Sequence, residues 1–255
     1  MKEQLVIKFL HDCLLVGDIL VIGDIHIGYD EQFHGRAVFP GMQLKEIIGK
    51  LEGVFEFLKK EKIIVKKIIL LGDVKHDFGQ ITDTEWRETL QLLDYLKEKT
   101  GEKGKIIVVK GNHDMKLNPI LRKKELALMD YYKVKKKGKS ICFFHGNKLF
   151  KQCLDSQTDI LVFGHLHPAI TLCNNYKSEK YKCFLKGTWK RKGVYILPCF
   201  SSFIVGYNLN LLEEEKYFFD IVDRISNKIL MDFNVIIYNP KENKEYDFGK
   251  LRKLI

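Results

Sequence analysis

The sequence lacks any long apolar run and any closely spaced pair of cysteines. No stretch reaches the roughly 18 consecutive apolar residues that a membrane helix requires. The N-terminal segment MKEQLVIKFLHDCLLVGD lacks the pattern of a signal peptide, because charged and polar residues such as Lys8 and Asp12 break its apolar runs, so we expect none here. We therefore expect a cytoplasmic protein without a membrane association. The six cysteines include no C-x-x-C pair, and we expect all six to be reduced packing residues.

The chain also lacks internal repeats and low-complexity linkers, so we expect residues 1–255 to form a single domain without a separate capping domain. Its 255 residues, 45% hydrophobic and 30% charged, have the composition of a compact globular protein. The net charge of +10 favours a polyanionic partner such as nucleic acid, although it identifies none. The composition leaves the oligomeric state open.

The first half of the chain alternates between strand-like and helical patterns. Apolar residues recur at helical spacing over residues 42–60 and again over residues 83–99. Short apolar runs around these segments have the length and composition of buried strands. These predicted strands are LVIKFL (5–10), CLLVGD (13–18), ILVIGD (19–24), KKIILLGD (66–73) and KIIVVKGNHD (105–114).

The second half is richer in strand-like runs, with only short helical patterns between them. The segment NVIIYNPKENKEYDFG predicts a C-terminal hairpin that turns between Asn239 and Asn243. Helix–strand alternation followed by a strand-rich half indicates an α/β protein with two stacked sheets flanked by helices. The other predicted strands of this half are residues 140–146, 159–167, 169–174, 181–187 and 194–200.

Five of the strand-like runs end in acidic, amide or imidazole side chains. Glycine adjoins each of these ends, and glycine lets the backbone turn sharply beyond the sheet. Because ligands of α/β proteins gather at the carboxyl ends of strands, we expect the five ends to converge. The clusters are Gly23-Asp24-Ile25-His26, Gly72-Asp73, Gly111-Asn112-His113-Asp114, His145-Gly146 and Gly164-His165-Leu166-His167.

The residue types in these clusters are those of a metal site. In an extended segment residues two apart point the same way, so the pair Asp24 and His26, and the pair His165 and His167, can each bind one ion. Mixed carboxylate, imidazole and amide donors suit Mn²⁺, Fe or Zn²⁺. The set exceeds the needs of one ion, whereas two ions that share a bridging carboxylate would use all of it. A single pair is also typical of a surface or strand end, but the joint pattern favours a metal site.

In chain order the motifs are D-x-H, G-D, G-N-H-D, a single H and G-H-x-H. This ordered set, within residues 23–167, resembles the calcineurin-like metallophosphoesterase superfamily. The sequence around the motifs is similar to that of the archaeal SbcD/Mre11-related phosphoesterases, in the segments GDIHIGYDEQ, GDVKHDFG and FGHLHPAI. The similarity continues through LPCF and YDFGKL. The resemblance implies a four-layer α/β/β/α sandwich of two mixed sheets with a dinuclear site between them.

Carried over position by position, the resemblance implies a role for each polar residue of the clusters. The residues implied for the first ion are Asp24, His26, Asp73 and His167. Those implied for the second ion are Asp73, Asn112, His145 and His165, with Asp73 bridging. His113 is implied as a catalytic imidazole that binds no metal, and Asp114 as the partner that orients it.

The resemblance also implies the cofactor and the reaction. Two divalent ions, Mn²⁺ foremost with Fe, Zn²⁺ or Ni²⁺ as alternatives, would activate a water for in-line displacement at phosphorus. His113 would donate a proton to the leaving oxygen or stabilise its charge. We expect a phosphodiesterase, with the subgroup and the basic charge favouring a nuclease on DNA or RNA. The alternatives are a phosphomonoesterase or cyclic-nucleotide phosphodiesterase on small substrates, and a catalytically silent scaffold.

Three further residues are candidates for contact with the substrate. His76 follows Gly-Asp at a spacing seen in Mre11-like proteins, and it is either a substrate contact or an ordinary loop histidine. His34 and Arg36, in EQFHGRAVFP, either line the cleft and meet a phosphate or lie in an exposed loop.

Two lysine-rich runs complete the motifs. KVKKKGK, 133–139, lies between predicted strands and favours a hairpin tip with solvated lysines over a binding patch. KGTWKRKG, 186–193, places Trp189 among cations. That pattern is typical both of a platform that stacks single-stranded nucleic acid and of an ordinary lysine-rich hairpin.

Overall fold

The structure, a computed structural model, describes residues 4–33, 41–101, 103–174, 177–211 and 225–255. His34 and Arg36 lie outside the described residues. The helices are α1 (Met42–Lys60), α2 (Asp83–Thr100), α3 (Asn118–Arg122), α4 (Lys151–Leu154) and α5 (Asn227–Leu230). Single 3₁₀ turns span Tyr29–Phe33, His113–Lys116 and Leu251–Lys253.

Most strands coincide with the predicted apolar runs, but the strands at 128–129, 131–136 and 207–208 were not predicted, and the predicted run 181–187 is divided between two strands. Those of the first half are β1 (Ile7–Leu10), β2 (Cys13–Val16), β3 (Ile19–Ile22), β4 (Lys67–Leu70), β5 (Lys105–Val109) and β6 (Leu128–Met129). Those of the second half are β7 (Tyr131–Lys136), β8 (Lys139–Phe144), β9 (Ile160–Phe163), β10 (Pro168–Cys173), β11 (Ser178–Lys182), β12 (Phe184–Trp189), β13 (Lys192–Ile196), β14 (Tyr207–Asn208), β15 (Asn234–Asn239) and β16 (Lys244–Lys250).

In the described part of the chain, β1 to β6 form one sheet in sequence order. β1, β2 and β3 pair antiparallel, whereas β3, β4, β5 and β6 pair parallel. Parallel neighbours require long crossovers, which α1 supplies between β3 and β4 and α2 supplies between β4 and β5. The parallel strands therefore all end at the same edge of the sheet.

The two long helices bury the apolar stripes that the sequence predicts. In α1 the stripe includes Leu44, Leu51 and Val54, which pack with α2 on the outer face of the first sheet. α2 begins with a capping box in which Thr82 and Glu85 satisfy each other's backbone N–H groups. Among the described residues, no helix is long and apolar enough to cross a membrane.

The second sheet has the order β16-β15-β12-β13-β9-β8-β7 within the described ranges. β9 pairs parallel with both β8 and β13, and the remaining pairs are antiparallel, so the sheet is mixed. β15 and β16 form the predicted C-terminal hairpin. A small sheet of β11, β10 and β14 adjoins the second sheet.

The two large sheets pack face to face, and helices cover their outer faces. In β3 alternate residues serve different layers: Ile19 and Val21 join the cluster between the sheets, while Leu20 and Ile22 join the cluster beneath α1 and α2. Strands that are buried on both faces read as continuous apolar runs, which is how these segments appear in the sequence. Since α4 and α5 cover the second sheet, the predicted four-layer α/β/β/α sandwich is confirmed.

One expectation about the cysteines is wrong. Cys142 on β8 and Cys153 on α4 form a disulfide, with their Cα atoms 5.4 Å apart. The prediction that all six are reduced fails here because α4 folds back over β8 and brings the two side chains together. The remaining cysteines are free; three are buried and one is exposed, namely Cys13, Cys183 and Cys199, and Cys173.

The two lysine-rich runs lie in different environments in the structure. Residues 133–139 lie in the β7–β8 hairpin, with the turn between Lys136 and Lys139, so the run belongs to a hairpin end as predicted. In the β12–β13 hairpin, Trp189 is only 5% exposed and packs in the core beneath the second sheet. Lys192 is buried as well, and its Nζ donates to the carbonyl oxygen of Thr158 at 2.7 Å. A buried ring cannot stack on a nucleobase, so this run is an ordinary hairpin.

Candidate metal centre

The polar segments that follow β3, β4, β5, β8 and β9 meet at one place between the two sheets. β3, β4 and β5 are parallel neighbours, as are β8 and β9, so their carboxyl ends lie at a common edge. A cavity of about 500 Å³ opens above this edge. The seven predicted metal ligands and His113 all lie in or beneath this cavity.

Four of the predicted ligands turn polar side-chain atoms towards one another. Nδ1 of His145 donates to the carbonyl oxygen of Leu71 at 3.0 Å, which leaves Nε2 as the inward-facing atom. That Nε2 lies 3.1 Å from Oδ1 of Asn112, 3.0 Å from Nδ1 of His165 and 3.2 Å from Oδ2 of Asp73. Oxygen and nitrogen ligand atoms at such short distances from one another are stable only around a positive charge, and a divalent cation fits the set.

A second group adjoins the first and shares Asp73 with it. Asp24, His26 and Asp73 each offer a ligand atom, and these atoms lie within 4.8 Å of one another. Nε2 of His167 lies 3.0 Å from Oδ1 of Asp24. Nε2 of His26 is buried and has no hydrogen-bond partner among the described residues. An unpartnered buried nitrogen beside two carboxylates fits a second cation.

Backbone N–H groups hold the two carboxylates that serve these groups. The N–H of His165 donates to the Asp24 carboxylate at 3.1 Å, and the N–H of His113 donates to Oδ1 of Asp73 at 2.9 Å. Each carboxylate is therefore oriented by the segment that carries another predicted site residue. Oδ2 of Asp73 is left to face the imidazoles.

Two glycines are required by these contacts. A Cβ atom at Gly164 would lie 2.2 Å from Oδ2 of Asp24, and one at Gly111 would lie 2.0 Å from Oδ1 of Asp73. Side chains cannot approach that closely, so only glycine lets each carboxylate pass beneath the neighbouring segment. The sequence predicts these glycines as turn residues, and the structure assigns them this additional role.

Five of the seven predicted ligands have a left-handed backbone. This conformation is uncommon for residues other than glycine and carries a strain of about 1–3 kcal/mol each, which proteins tolerate mainly at functional sites. The expectation that D-x-H and H-x-H lie in extended segments is therefore wrong, because each chain turns sharply as it leaves its strand. The φ angles are 52° for Asp24, 51° for His26, 48° for Asp73, 66° for His165 and 47° for His167.

Electrostatics indicate the same need for a central positive charge. Burial lowers the pKa of His145, but the carboxylates of Asp73 and Asp24 outweigh it and raise the pKa to about 9. Burial raises the pKa of Asp73, yet the imidazoles beside it, His145 first, hold that pKa below its usual range. Burial lowers the pKa of His26 to about 3, and burial together with His145 lowers that of His165 to about 4. At neutral pH these two rings keep lone pairs for a metal.

His113 lies at the edge of the cavity with an oriented ring. Its Nδ1 donates to the backbone carbonyl oxygen of His76, so Nε2 is the nitrogen left for a substrate. Asp114, expected to orient this ring, instead accepts the backbone N–H of Gly111 at 2.9 Å and that of Val74 at 3.0 Å. The expected pairing therefore differs from the observed one, because the carboxylate turns into the protein and joins two loops.

His76 belongs to the cavity rather than to a remote loop. Its Nδ1 lies 3.2 Å from Nδ1 of His26, and its ring stacks on His113 with centroids 5.2 Å apart. The backbone N–H of His76 donates to Oε1 of Glu85 at 3.0 Å. Lys75, fully buried, places its Nζ 3.7 Å from the same Oε1. Helix α2 thus supports the loop that carries His76.

Several residues in or next to the cavity were not predicted as site residues. Residues 203–207 form its apolar wall, and Lys180 at the rim donates to the carbonyl oxygen of Gly206. Phe78 is 61% exposed, and its ring centroid lies 3.7 Å from that of His113. Cys199 follows β13, the parallel neighbour of β9, and burial raises the pKa of its thiol. The apolar run VYILPCF also predicts a strand, and Cys199 stands at the end of it. This sixth strand end was the feature of the sequence that could have identified Cys199 as a site residue.

Solved structures that are similar to this chain include a nuclease and a phosphoesterase. The nuclease MPE of Pseudomonas putida superposes with a TM-score of 0.57 at 16% identity, covering 91% of this chain and 92% of that chain. The phosphoesterase Yfce of E. coli superposes with a TM-score of 0.41 at 14% identity, covering 91% and 98%. The first likeness shows a common fold. A comparison with curated proteins finds no match.

The family follows from the sequence itself. The profile described as "Calcineurin-like phosphoesterase" matches residues 17–188, which is more than half of the chain. The matched range contains all five polar clusters, and its residues form the centre described above. The chain belongs to the calcineurin-like phosphoesterase family, whose members are metal-dependent phosphoester hydrolases.

Proposed function

We propose that this protein is a dinuclear metal-dependent phosphodiesterase and that it acts as a nuclease on DNA or RNA. The observation that carries the proposal is the set of four inward-facing ligand atoms made up of Nε2 of His145 and the three atoms around it. A second set shares Asp73 with it, so a single carboxylate can bridge two ions. We also propose that the chain belongs to the SbcD/Mre11-related subgroup of phosphoesterases. A further part of the proposal is that residues 1–255 form a single cytoplasmic domain.

The residues present fit two divalent ions. The first would be held by Asp24, His26, Asp73 and His167. The second would be held by Asp73, Asn112, His145 and His165. Mixed oxygen and imidazole donors suit Mn²⁺ foremost, with Fe, Zn²⁺ and Ni²⁺ as alternatives. When bound, such a pair supplies the charge that activates a water and offsets the charge of a phosphoryl group.

His113 would serve as the general acid. Because its Nδ1 donates to a backbone carbonyl, the ring is held in one orientation and Nε2 faces the cavity. A protonated ring can pass its Nε2 proton to the leaving oxygen. Asp114 would support this step indirectly, by holding the loop that carries His113. His76, stacked on the same ring, would contact the substrate.

The lining of the cavity supports a diester over a simple phosphate ester. A diester carries a second organic group, and residues 203–207 add an apolar surface for it beside the metal-site residues. Lys180 at the rim adds a cation where a backbone phosphate would enter. The net charge of +10 and the likeness in fold to a Pseudomonas putida nuclease support the choice of nucleic acid.

The test is an assay panel with the purified protein and Mn²⁺. The substrates are single-stranded DNA, duplex DNA, RNA, bis(p-nitrophenyl) phosphate and p-nitrophenyl phosphate, and the His113→Ala variant serves as the control for contaminating nucleases. We expect cleavage of a nucleic acid that falls steeply with added salt, because phosphate contacts release counterions.

The alternatives correspond to other outcomes. Turnover of small esters alone, insensitive to salt, would replace the nuclease by a phosphomonoesterase or a cyclic-nucleotide phosphodiesterase. A protein that binds no metal and cleaves nothing would be a catalytically silent scaffold of the same fold, and the proposal would be withdrawn.

A further inference from the structure

Cys199 lies directly behind the group that contains His26 and His167. It belongs to the segment after β13, whose carboxyl end lies beside that of β9. The side chain is fully buried, and its thiol donates to the backbone carbonyl oxygen of Asp24 across 2.9 Å. The thiol is therefore held against the first of the predicted metal ligands.

The sulfur and two imidazoles form a group of their own. Sγ of Cys199 and one ring nitrogen each of His26 and His167 all lie within 4.8 Å of one another. Around a tetrahedral Zn²⁺ ion, two nitrogens or a nitrogen and a sulfur are about 3.4–3.6 Å apart, given the usual bond lengths. A side-chain movement of about 1 Å would close the group around one ion. Nε2 of His26, buried and without a hydrogen-bond partner, is a second observation that points to a cation here.

We propose that Cys199 donates its sulfur to the ion bound by His26 and His167. This position then takes a thiophilic divalent ion, Zn²⁺ or Co²⁺, in preference to Mn²⁺, because thiolate ligands favour the softer metals. The inference rests on the metal centre of the proposed function and specifies the identity of one of its ions.

The step requires neither an oxidant nor a reductant. The thiol proton leaves to solvent as the bond between Sγ and the metal forms, so metal uptake at this position releases one proton. The hydrogen bond from the thiol to the carbonyl of Asp24 is lost in the exchange.

The other cysteines do not take this role. Cys13 packs beneath the helices of the first sheet, and Cys183 packs on the outer face of the second. Cys173 is exposed, and the other two cysteines are joined in the disulfide. Among the described residues, Cys199 is the cysteine that joins histidines in a group able to hold a metal. Cys183, buried and free, is therefore a matched control.

The experiment titrates metal-free protein with Co²⁺ and records its absorption spectrum. A Cys173→Ser background removes the exposed thiol. We expect a thiolate-to-cobalt charge-transfer band in the near ultraviolet that saturates with one equivalent. The band is lost in Cys199→Ser and retained in Cys183→Ser. In a chelator competition, Cys199→Ser weakens Zn²⁺ binding by at least about 10-fold, the lower range for removal of a metal-supporting group, while Mn²⁺ binding changes little.

The other outcomes of the cobalt titration overturn the proposal. Bound Co²⁺ without the band, or a band that survives Cys199→Ser, removes the sulfur ligand and leaves the proposed function intact. Absence of metal binding overturns both. If Cys199→Ser does not fold, X-ray absorption at the zinc edge of the unaltered protein decides the question. Sulfur at about 2.3 Å from zinc supports the proposal, and a shell of only nitrogen and oxygen refutes it.

Discussion

Oδ2 of Asp73 lies 3.2 Å from Nε2 of His145, on the side of the ring away from its hydrogen bond to the carbonyl of Leu71. A carboxylate and an imidazole lone pair would repel each other at this distance unless a proton or a cation lies between them. The same Oδ2 lies 3.8 Å from Nε2 of His26. Asp73 is therefore the residue that both halves of the centre have in common.

Replacement of Asp73 by asparagine should empty both metal positions. Asparagine keeps the size but removes the charge that a bridging ligand needs, so we expect metal content to fall from about two ions per chain to near zero. Elemental analysis after removal of loosely bound metal measures this. Asp94→Asn, at an exposed position of α2, is the control and should retain both ions. Undiminished metal in Asp73→Asn would contradict the bridging role.

Replacement of His113 by alanine should separate catalysis from metal binding. We expect unchanged metal content and a loss in kcat of about 10²–10⁴-fold, the usual contribution of a general acid. The loss should be smaller for bis(p-nitrophenyl) phosphate than for a nucleic acid, because p-nitrophenolate leaves without a proton. Paired kcat measurements on the two substrates check this. Equal losses on both would assign His113 to charge stabilisation instead of proton donation.

Replacement of Gly164 by alanine should damage the centre through a steric clash. The added Cβ would lie 2.2 Å from Oδ2 of Asp24, so we expect a stability loss of about 1–3 kcal/mol, typical of overpacking, together with weaker metal binding. Gly49→Ala is the matched control, because its Cβ meets nothing within 4 Å in helix α1. That control should gain about 0.5–1 kcal/mol. Denaturant unfolding compares the two, and equal effects would contradict the steric argument.

Glu88, a buried residue of helix α2, should make stability depend on pH. Burial and then the nearby Asp30 raise its pKa to about 7 from the ordinary 4.5, and neither carboxylate oxygen of Glu88 has a hydrogen-bond partner among the described residues. The folded protein therefore holds a proton that the unfolded chain releases at lower pH. The stabilisation is complete below the unfolded pKa and is lost as pH rises through the folded one.

The variant Glu88→Gln should remove this dependence. At about pH 8 we expect its Tm to exceed that of the unaltered protein by about 2–4 °C, with the difference shrinking below about pH 5. Thermal unfolding across this range measures the effect. Glu98→Gln, at an exposed position of the same helix, should leave the profile unchanged. A gain in Tm that is the same at every pH would show that titration of Glu88 is not its cause.

Much of the centre could be predicted because its information is local. The apolar run, the glycine and the polar side chain of each cluster are adjacent in sequence, as in Gly72-Asp73 and Gly164-His165. The strands are buried on both faces, so their apolar runs are continuous and easily found. The order of the clusters then identified the family.

What the sequence left open and what it predicted wrongly share one cause, which is that partners distant in sequence decide the outcome. For Trp189 the sequence left two interpretations open, and packing beneath the second sheet buries the ring and selects the ordinary hairpin. Asp114 follows His113 directly, yet its carboxylate turns inward to hold Val74 and Gly111. Cys142 and Cys153 meet only because a short helix covers β8.

The sequence by itself determined which donor atoms are available and at which strand ends they stand, because hydrophobic pattern and turn chemistry act between neighbours along the chain. Only the tertiary structure decided which of those atoms face one another, since parallel pairing of separate strands brings their ends to a common edge. The left-handed turns at Asp24 and His165, and the approach of Cys199 to His26, are products of that packing. Local propensity favours none of them.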